Sequence, residues 1–333
     1  MKLVYFGQEA WEEAYIKDKL PGLDIVFTLG AVQDSAGDAE AEMLCTFVNG
    51  HVDAAVFDKY PKLKLIATRS TGFDHIDLAE AKARGIAVAS VPSYGVNTVA
   101  EFAFALILAL SRRVCEAHEQ VSETGSFSQE RLTGFDLQGK TIGIVGGGHI
   151  GMYAIKIANG FGMRVVVFDA HRDEALAKNN NFSYATLEEL LAESDIITLH
   201  VPYNEHTHHL INLQNISLIK KGAYLINTAR GAVVETEAII AALKSGTLAG
   251  AGLDVLEEEG DMSDELALLS GPHPKEEELK VVLENHYLIN HPRVIITPHI
   301  AFDTNEAVRR ILDTTIENIA GFEKGEPKNI VAL

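Results

Sequence analysis

Cysteine is nearly absent. Cys45 and Cys115 are the only two in 333 residues, in no metal-type spacing and far short of a disulfide framework. That scarcity points to a reducing compartment, with both thiols expected to be buried and inert. Positive charge is scarce as well: Lys and Arg number 28 against 47 Asp and Glu, a formal net charge of −19, which repels nucleic acid and anionic membranes alike. A small anionic substrate is still allowed, because it needs only a locally positive pocket. Long apolar runs are missing. The longest, Phe102–Leu110, has nine residues between Glu101 and Ser111, where a membrane span needs about 20. The apolar run within Met1–Gly7 is too short for a secretory signal, and no low-complexity tract or close repeat occurs. The chain is therefore expected to be cytoplasmic, with no nucleic-acid and no membrane partner.

What is present is the composition of a globular α/β protein, 47% hydrophobic and 23% charged, with a length that suits two domains. Short β-branched runs alternate with helical patterns, as in parallel βαβ units. The first series of strands reads as Lys2–Phe6, Asp24–Thr28, Ala54–Phe57, Leu65–Thr68 and Ala87–Ala89, with helices near Ala39–Asn49 and Leu78–Arg84. One long helix over about Asn97–Ser122 follows, unbroken by Gly or Pro, and then a polar segment, Glu123–Gly139. A second series opens at Thr141: strands Thr141–Val145, Arg164–Phe168, Ile196–Leu199, Ala223–Asn227, Ala251–Leu253 and Val294–Thr297, with helices near Ile150–Gly160, Leu187–Glu193 and Thr236–Ser245. A last helix is expected near Thr304–Gly321. The pattern suggests a nucleotide-binding domain, 101–299, inserted into a first domain made of 1–100 and 300–333.

Gly146-Gly147-Gly148-His149-Ile150-Gly151 follows one of these strands and opens a helical pattern, the context that makes a glycine-rich turn a dinucleotide site. Gly146 makes the tight turn, Gly148 admits the pyrophosphate, and Gly151 lets helix and strand pack closely. Asp169 ends the next strand, where a carboxylate accepts ribose hydroxyls and repels a 2′-phosphate. NAD is the cofactor this predicts, rather than NADP.

Three residues offer redox-substrate chemistry. Arg230, in Asn227-Thr-Ala-Arg-Gly231 after a strand end, has a fork suited to the carboxylate of a 2-hydroxy or 2-oxo acid, although an arginine in a loop is by itself more often a surface charge. His299, after Thr297-Pro298, is placed to exchange the hydroxyl proton; it is also one of 13 histidines. Glu259 closes the run Glu257-Glu258-Glu259, which alone reads as a solvated acidic patch; a carboxylate beside an imidazole would favour the imidazolium. The group His206-Thr-His208-His209 reads as solvated loop histidines rather than metal ligands, so no metal is expected. Glu276–Glu278 reads as a helix start.

Along nearly its whole length the chain resembles the D-isomer-specific 2-hydroxyacid dehydrogenases. The matching segments are Thr71-Gly-Phe-Asp-His-Ile-Asp77, Pro92-Ser-Tyr94 to Asn97-Thr-Val-Ala-Glu101, Gly143-Ile-Val-Gly146 to Gly151, His200-Val-Pro202, Asn227 to Gly231, Gly252-Leu-Asp254 and Thr297-Pro-His299. The resemblance implies Arg230 as carboxylate clamp, His299 as acid/base and Glu259, rather than Glu257 or Glu258, as its partner. It further implies substrate contacts from the amides near Thr71 and Gly72, a nicotinamide-side contact from Asp254, and cofactor-lining positions at His149, Ile150, Val201, Pro202, Thr207, Thr228 and Ala229. The fold it implies is α/β, with two Rossmann-like domains, one flavodoxin-like and one dinucleotide-binding, parallel sheets and a cleft between them. A homodimer through the 97–122 helix region is implied as well.

Within the family the likeness is greatest to D-lactate dehydrogenases, through Tyr94 and the long segment between Glu259 and His299. Gly7-Gln8-Glu9 carries no arginine where those enzymes commonly have one, and Asp303 stands where an aromatic is expected. Both leave room for a different side chain on C2. Other family substrates are glycerate, phosphoglycerate or a branched 2-hydroxy acid. The end at Leu333 makes a regulated phosphoglycerate enzyme a weaker expectation, and the acidic Glu259 weakens formate oxidation. An NAD-sensing corepressor-like protein is the reading from another class, and turnover separates it from the enzyme.

Overall fold

A computed structural model of the chain describes residues 1–7, 10–48, 50–257 and 276–332. The chain divides into two compact units, Met1–Tyr94 with Asp303–Leu333, and Gly95–Phe302.

In the first unit the strands β1 (Lys2–Phe6), β2 (Asp24–Thr28), β3 (Met43–Thr46), β4 (Leu65–Thr68) and β5 (Ala87–Ala89) form one parallel sheet in the order β2-β1-β3-β4-β5. This is the flavodoxin-like order, reversing direction between β1 and β3. Its helices are α1 (Ala10–Lys19), α2 (Ala54–Lys59), α3 (Leu78–Ala83) and the final helix, Asn305–Glu323. The final helix lays Leu312 and Ile319 on the sheet face formed by Leu3, Tyr5, Met43, Cys45 and Leu65.

Two elements here exchange identity relative to the sequence reading. Ala54–Phe57 is not a strand but the start of α2, and the expected helix over 39–49 holds β3 instead. Met43-Leu44-Cys45-Thr46 is buried at every position; a central parallel strand is covered on both faces and so loses the alternation that marks a strand. The Asp53 carboxylate accepts the Val56 amide at 3.0 Å and caps a helix over residues whose β-branched, aromatic run suggested a strand. Helix α1 escaped the periodicity altogether, with Trp11 exposed. Buried charge pins it instead: Glu12 Oε2 lies 3.0 Å from Arg69 Nη1, and Arg69 also donates to the Phe6 carbonyl at 2.8 Å.

The second unit holds β6 (Thr141–Val145), β7 (Arg164–Phe168), β8 (Ser183–Tyr184), β9 (Ile196–Leu199), β10 (Ala223–Asn227), β11 (Leu248–Leu253) and β12 (Val294–Ile296). All pair in parallel, in the order β12-β11-β10-β9-β6-β7-β8, with the reversal between β6 and β9. The two-residue β8 is too short to leave a sequence signal. The helices are α4 (Val96–Arg112), α5 (Val114–Thr124), α6 (His149–Gly160), α7 (Glu174–Asn179), α8 (Leu187–Glu193), α9 (Thr236–Ser245) and α10 (Glu276–Ile289).

The expected single helix over 97–122 is two helices. Arg113 takes the left-handed conformation, φ 52°, and the chain restarts as α5. The Phe135 amide donates to the Ser111 carbonyl at 2.9 Å. A Cβ at Gly134 would lie 2.1 Å from that same oxygen, so this segment occupies the place of a continued helix. The apolar face of α4, including Phe104, Leu106 and Ile107, packs with Ile142, Ile144 and Ile155 of β6 and α6. Cys45 is buried, but Cys115 on α5 is exposed, against the expectation of two buried thiols. No helix among the described residues is long and apolar enough to cross a membrane.

Candidate functional site

The wholly buried β6 runs directly into the glycine turn. Gly146 has φ 99°, and a Cβ there would meet the His200 carbonyl oxygen at 2.7 Å. Gly148 is the N-cap of α6 and offers no capping side chain, so the first-turn amides are left to a ligand. A Cβ on Gly151 would lie 1.9 Å from the Gly146 carbonyl oxygen, which is the close helix-to-turn packing the third glycine serves. At the end of β7 the Asp169 carboxylate accepts the Gly147 amide and the His171 amide, each at 2.7 Å. It therefore stands beside the glycine turn with its geometry set.

The rest of the cofactor-side set lies at the start of α6 and past the carboxyl ends of β9 and β10, on the same edge of the parallel sheet. His149 is exposed and Ile150 half-buried at the start of α6, while Val201 packs on the core. The Pro202 carbonyl accepts the Thr207 hydroxyl at 2.6 Å, and that hydroxyl accepts the Asn204 amide at 2.9 Å. Thr228 and Ala229 follow β10; the Thr228 hydroxyl is buried without a hydrogen-bond partner. A glycine cradle, an open helix N-terminus, an acceptor at Asp169 and an orphaned hydroxyl suit a dinucleotide at the strand-order reversal. These residues fit NAD.

Nothing in the sequence sets His200 apart as a titrating group among the 13 histidines. Its Nε2 lies 3.1 Å from the Thr198 hydroxyl, and burial pushes its pKa down to about 4. Between about 4 and the unfolded value near 6.5 the unfolded chain binds the extra proton. The contribution to stability is therefore complete above pH 6.5 and is lost as the pH falls toward 4, about 3 kcal/mol in all. Urea unfolding of the wild type should show that excess loss between pH 7 and 4 relative to His200→Asn; parallel pH profiles would contradict it.

Arg230 follows β10 in a turn built by its neighbours. Asn227, 1% exposed, accepts the Ala229 amide at 3.0 Å and donates to the Arg230 carbonyl at 2.9 Å. Gly231 presses on the next segment: a Cβ there would lie 2.1 Å from the Leu256 carbonyl carbon. Arg230 itself is half-buried and donates from Nη1 to the Ala229 carbonyl at 2.9 Å. Asn227 was legible only as the one polar residue closing an apolar strand.

His299 follows β12 in a left-handed conformation, φ 54°, and its amide donates to the Asp254 carbonyl at 2.8 Å. The Asp254 side chain organises the same turn. It accepts the Thr297 hydroxyl at 2.5 Å and the Ile300 and Ala301 amides at 3.0 and 2.8 Å. Burial raises its pKa above the ordinary carboxylate value, against the pull of those hydrogen bonds. Glu259 lies outside the described residues. Glu257 is not the solvated acid its run suggested: its side chain is 11% exposed and pairs with His209, Oε1 to Nε2 2.6 Å. Of the loop histidines, His206 is exposed as expected, whereas His209 is half-buried in that pair.

Thr71, Gly72 and Tyr94 belong to the first unit, at the carboxyl ends of β4 and β5. The Thr71 hydroxyl donates to the Val91 carbonyl at 2.7 Å, and the Ser70 hydroxyl to the Gly72 carbonyl at 2.5 Å. Thr68 joins Ser70 to the buried His75 below them. The Tyr94 carbonyl accepts from Arg310 Nε at 2.6 Å.

Residues 104–301 match the D-isomer specific 2-hydroxyacid dehydrogenase, NAD binding domain. Glyoxylate reductase of Korarchaeum cryptofilum is 39% identical over 88% of this chain and 83% of its own length. 2-Hydroxyacid dehydrogenase A of Aspergillus oryzae is 40% identical over 97% and 92%. Among solved structures, D-lactate dehydrogenase from Aquifex aeolicus, complexed with NAD and lactic acid, superposes with a TM-score of 0.88 at 35% identity, covering 99% of this chain and 98% of that one. The glycine cradle, Asp169 and these likenesses converge: the chain belongs to the D-isomer-specific 2-hydroxyacid dehydrogenase family and is an NAD-dependent oxidoreductase.

Proposed function

We propose that the protein interconverts a small D-2-hydroxy acid and its 2-oxo acid, D-lactate and pyruvate in particular. The observation that carries the reading is a guanidinium and an imidazole, Arg230 and His299, following β10 and β12 on the sheet edge that also bears Gly146 and Asp169. In reduction Arg230 grips the substrate carboxylate with two parallel N–H bonds and orients C2. NADH, when bound, supplies the hydride that C2 accepts. His299 gives its proton to the carbonyl oxygen as the charge develops there, and takes it back in the reverse direction. Glu259 is the carboxylate that the family resemblance gives that imidazole as its partner. Thr71, Gly72 and Tyr94, on the first unit, are the further substrate-binding residues that the family resemblance gives.

End-to-end similarity to a D-lactate dehydrogenase supports the three-carbon substrate. A second reading, glyoxylate, is favoured by the 39% identity to a glyoxylate reductase. Following NADH oxidation with pyruvate, 2-oxobutyrate, phenylpyruvate, 2-oxoisocaproate, hydroxypyruvate and glyoxylate separates them. A preference for pyruvate, with D- but not L-lactate active in reverse, is the expected outcome. Preference for glyoxylate or a bulkier acid reassigns the pocket, and no turnover despite NADH binding favours a sensing role. We assign a homodimer to the region of α4 and α5, where Val114 and Val121 are exposed apolar residues; monomeric sedimentation at micromolar concentration would remove that assignment.

A further inference from the structure

We propose that Glu257 and His209 are positioning residues for Arg230, acting as a part-buried clasp that holds its turn in the carboxylate-binding geometry. The inference rests on the clamp role given to Arg230 above. Three loop segments are tied here. Glu257 Oε2 accepts the Thr236 amide at 2.7 Å and the Thr236 hydroxyl at 2.6 Å, while Oε1 takes His209 Nε2 at 2.6 Å. The Glu257 carbonyl accepts from Asn285 Nδ2 at 2.8 Å, so backbone and side chain are both held. Thr236 opens α9, whose N-cap residue Glu235 gives no side-chain cap. Glu257 therefore supplies from a distant strand end the acceptor and the negative charge that a helix N-terminus favours.

His209 closes the clasp from the other side. Its backbone is left-handed, φ 48°, and its amide donates to the Ala232 carbonyl at 2.8 Å. The Ile211 amide donates to the Val233 carbonyl, and the Val233 amide to the Arg230 carbonyl, both at 3.2 Å. Gly231 has no side chain and lies against the Leu256–Glu257 peptide, where a Cβ would stand 2.4 Å from the Glu257 nitrogen. The turn Arg230–Val233 is thus gripped between the His209 segment and the Glu257 segment. The His209–Glu257 contact joins those two jaws side chain to side chain. With the carboxylate accepting from every partner, His209 must present an N–H at Nε2.

A carboxylate clamp depends on geometry at the level of a fraction of an ångström. Loss of one charge-assisted bond in the clasp should therefore appear in substrate capture rather than in cofactor binding, which uses Gly146 and Asp169. Glu257→Gln, His209→Gln and the double variant of the full chain are the test, read by hydrogen exchange, NADH titration and steady-state kinetics. We expect amides in 229–236 to exchange roughly tenfold faster in Glu257→Gln, with those of 164–180 unchanged. KM for the best 2-oxo acid should rise about tenfold, the NADH dissociation constant should stay within about twofold, and the double variant should be no worse than the worse single one. Unchanged exchange in 229–236 overturns the clasp. So does faster exchange across the whole second unit, which would make the pair a general stabiliser. Exchange decides the matter whether or not the wild type turns over. A wild type that reduces no 2-oxo acid would count against Arg230 as clamp, while the exchange result still decides the clasp.

Discussion

Replacing His299 by Ala should lower kcat for 2-oxo acid reduction by about a thousandfold, the size of a lost general acid, with NADH affinity within about twofold of wild type. His299 is left-handed, φ 54°, a conformation costing a residue with a Cβ roughly 1–2 kcal/mol and tolerated best by Gly and Asn. Alanine therefore removes the imidazole and leaves the strain in place. His299→Asn suits the backbone and still lacks a group that titrates near neutrality. Equal loss in both variants assigns the effect to proton transfer. Recovery of turnover in the Asn variant would show that the turn, and not the imidazole, had been damaged. The turn has support independent of the ring, because Asp254 holds Thr297, Ile300 and Ala301, so the melting temperature should change little.

Arg230→Ala should reduce kcat/KM for the 2-oxo acid by a factor of about 100 to 1,000, most of it in KM, as expected when a charge-assisted bidentate contact is lost. Arg230→Lys should fall between, because an ammonium restores the charge but not the fork. Asn227 and Gly231 set the turn from either side, and the Arg230 side chain adds its own bond to the Ala229 carbonyl, so the Lys variant, which keeps a cation there, is the needed control. A KM within about threefold of wild type in the Ala variant would end the clamp assignment. So would full activity in the Lys variant, since a point charge would then suffice.

Much of this molecule was legible in its residues, and the exceptions have physical causes. Gly146, Gly148 and Gly151 were readable because each answers a steric demand that no other residue meets, and Asp169 because its distance from them is set by one βαβ unit. The strand at Met43–Thr46 was hidden because burial on both faces erases alternation, and the adjacent Ala54–Phe57 then took its place in the pattern. The break at Arg113 left no Gly or Pro to announce it; it follows from the Gly134–Phe135 segment, which is distant in sequence. The same holds for Glu257, whose partners His209, Thr236 and Asn285 lie in other segments, and a run of three glutamates gives no hint that the first is part-buried.

The arrangement of the two units in the chain has a consequence for how the protein is made. The first unit is discontinuous, Met1–Tyr94 with Asp303–Leu333, and the late piece is integral to it. Leu312 and Ile319 cover one face of its sheet, and Asn318 donates to the Ser90 carbonyl at 2.8 Å. Beyond the final helix, the Val331 amide reaches the Val88 carbonyl at 2.8 Å and the Asn329 carbonyl takes the Ser90 amide at 3.1 Å. During synthesis the face bearing Leu3, Met43 and Leu65 has only Ile16 and Leu20 of the early piece over it, and must wait for the rest of its cover until more than two hundred further residues have emerged. The inserted unit, contiguous from Gly95 to Phe302, has all its own strands by then and is free to fold first. The nascent chain thus carries its nucleotide-binding half complete while one of the two cores of its other half still lacks the last helix, and that interval is when a holding chaperone has most to offer.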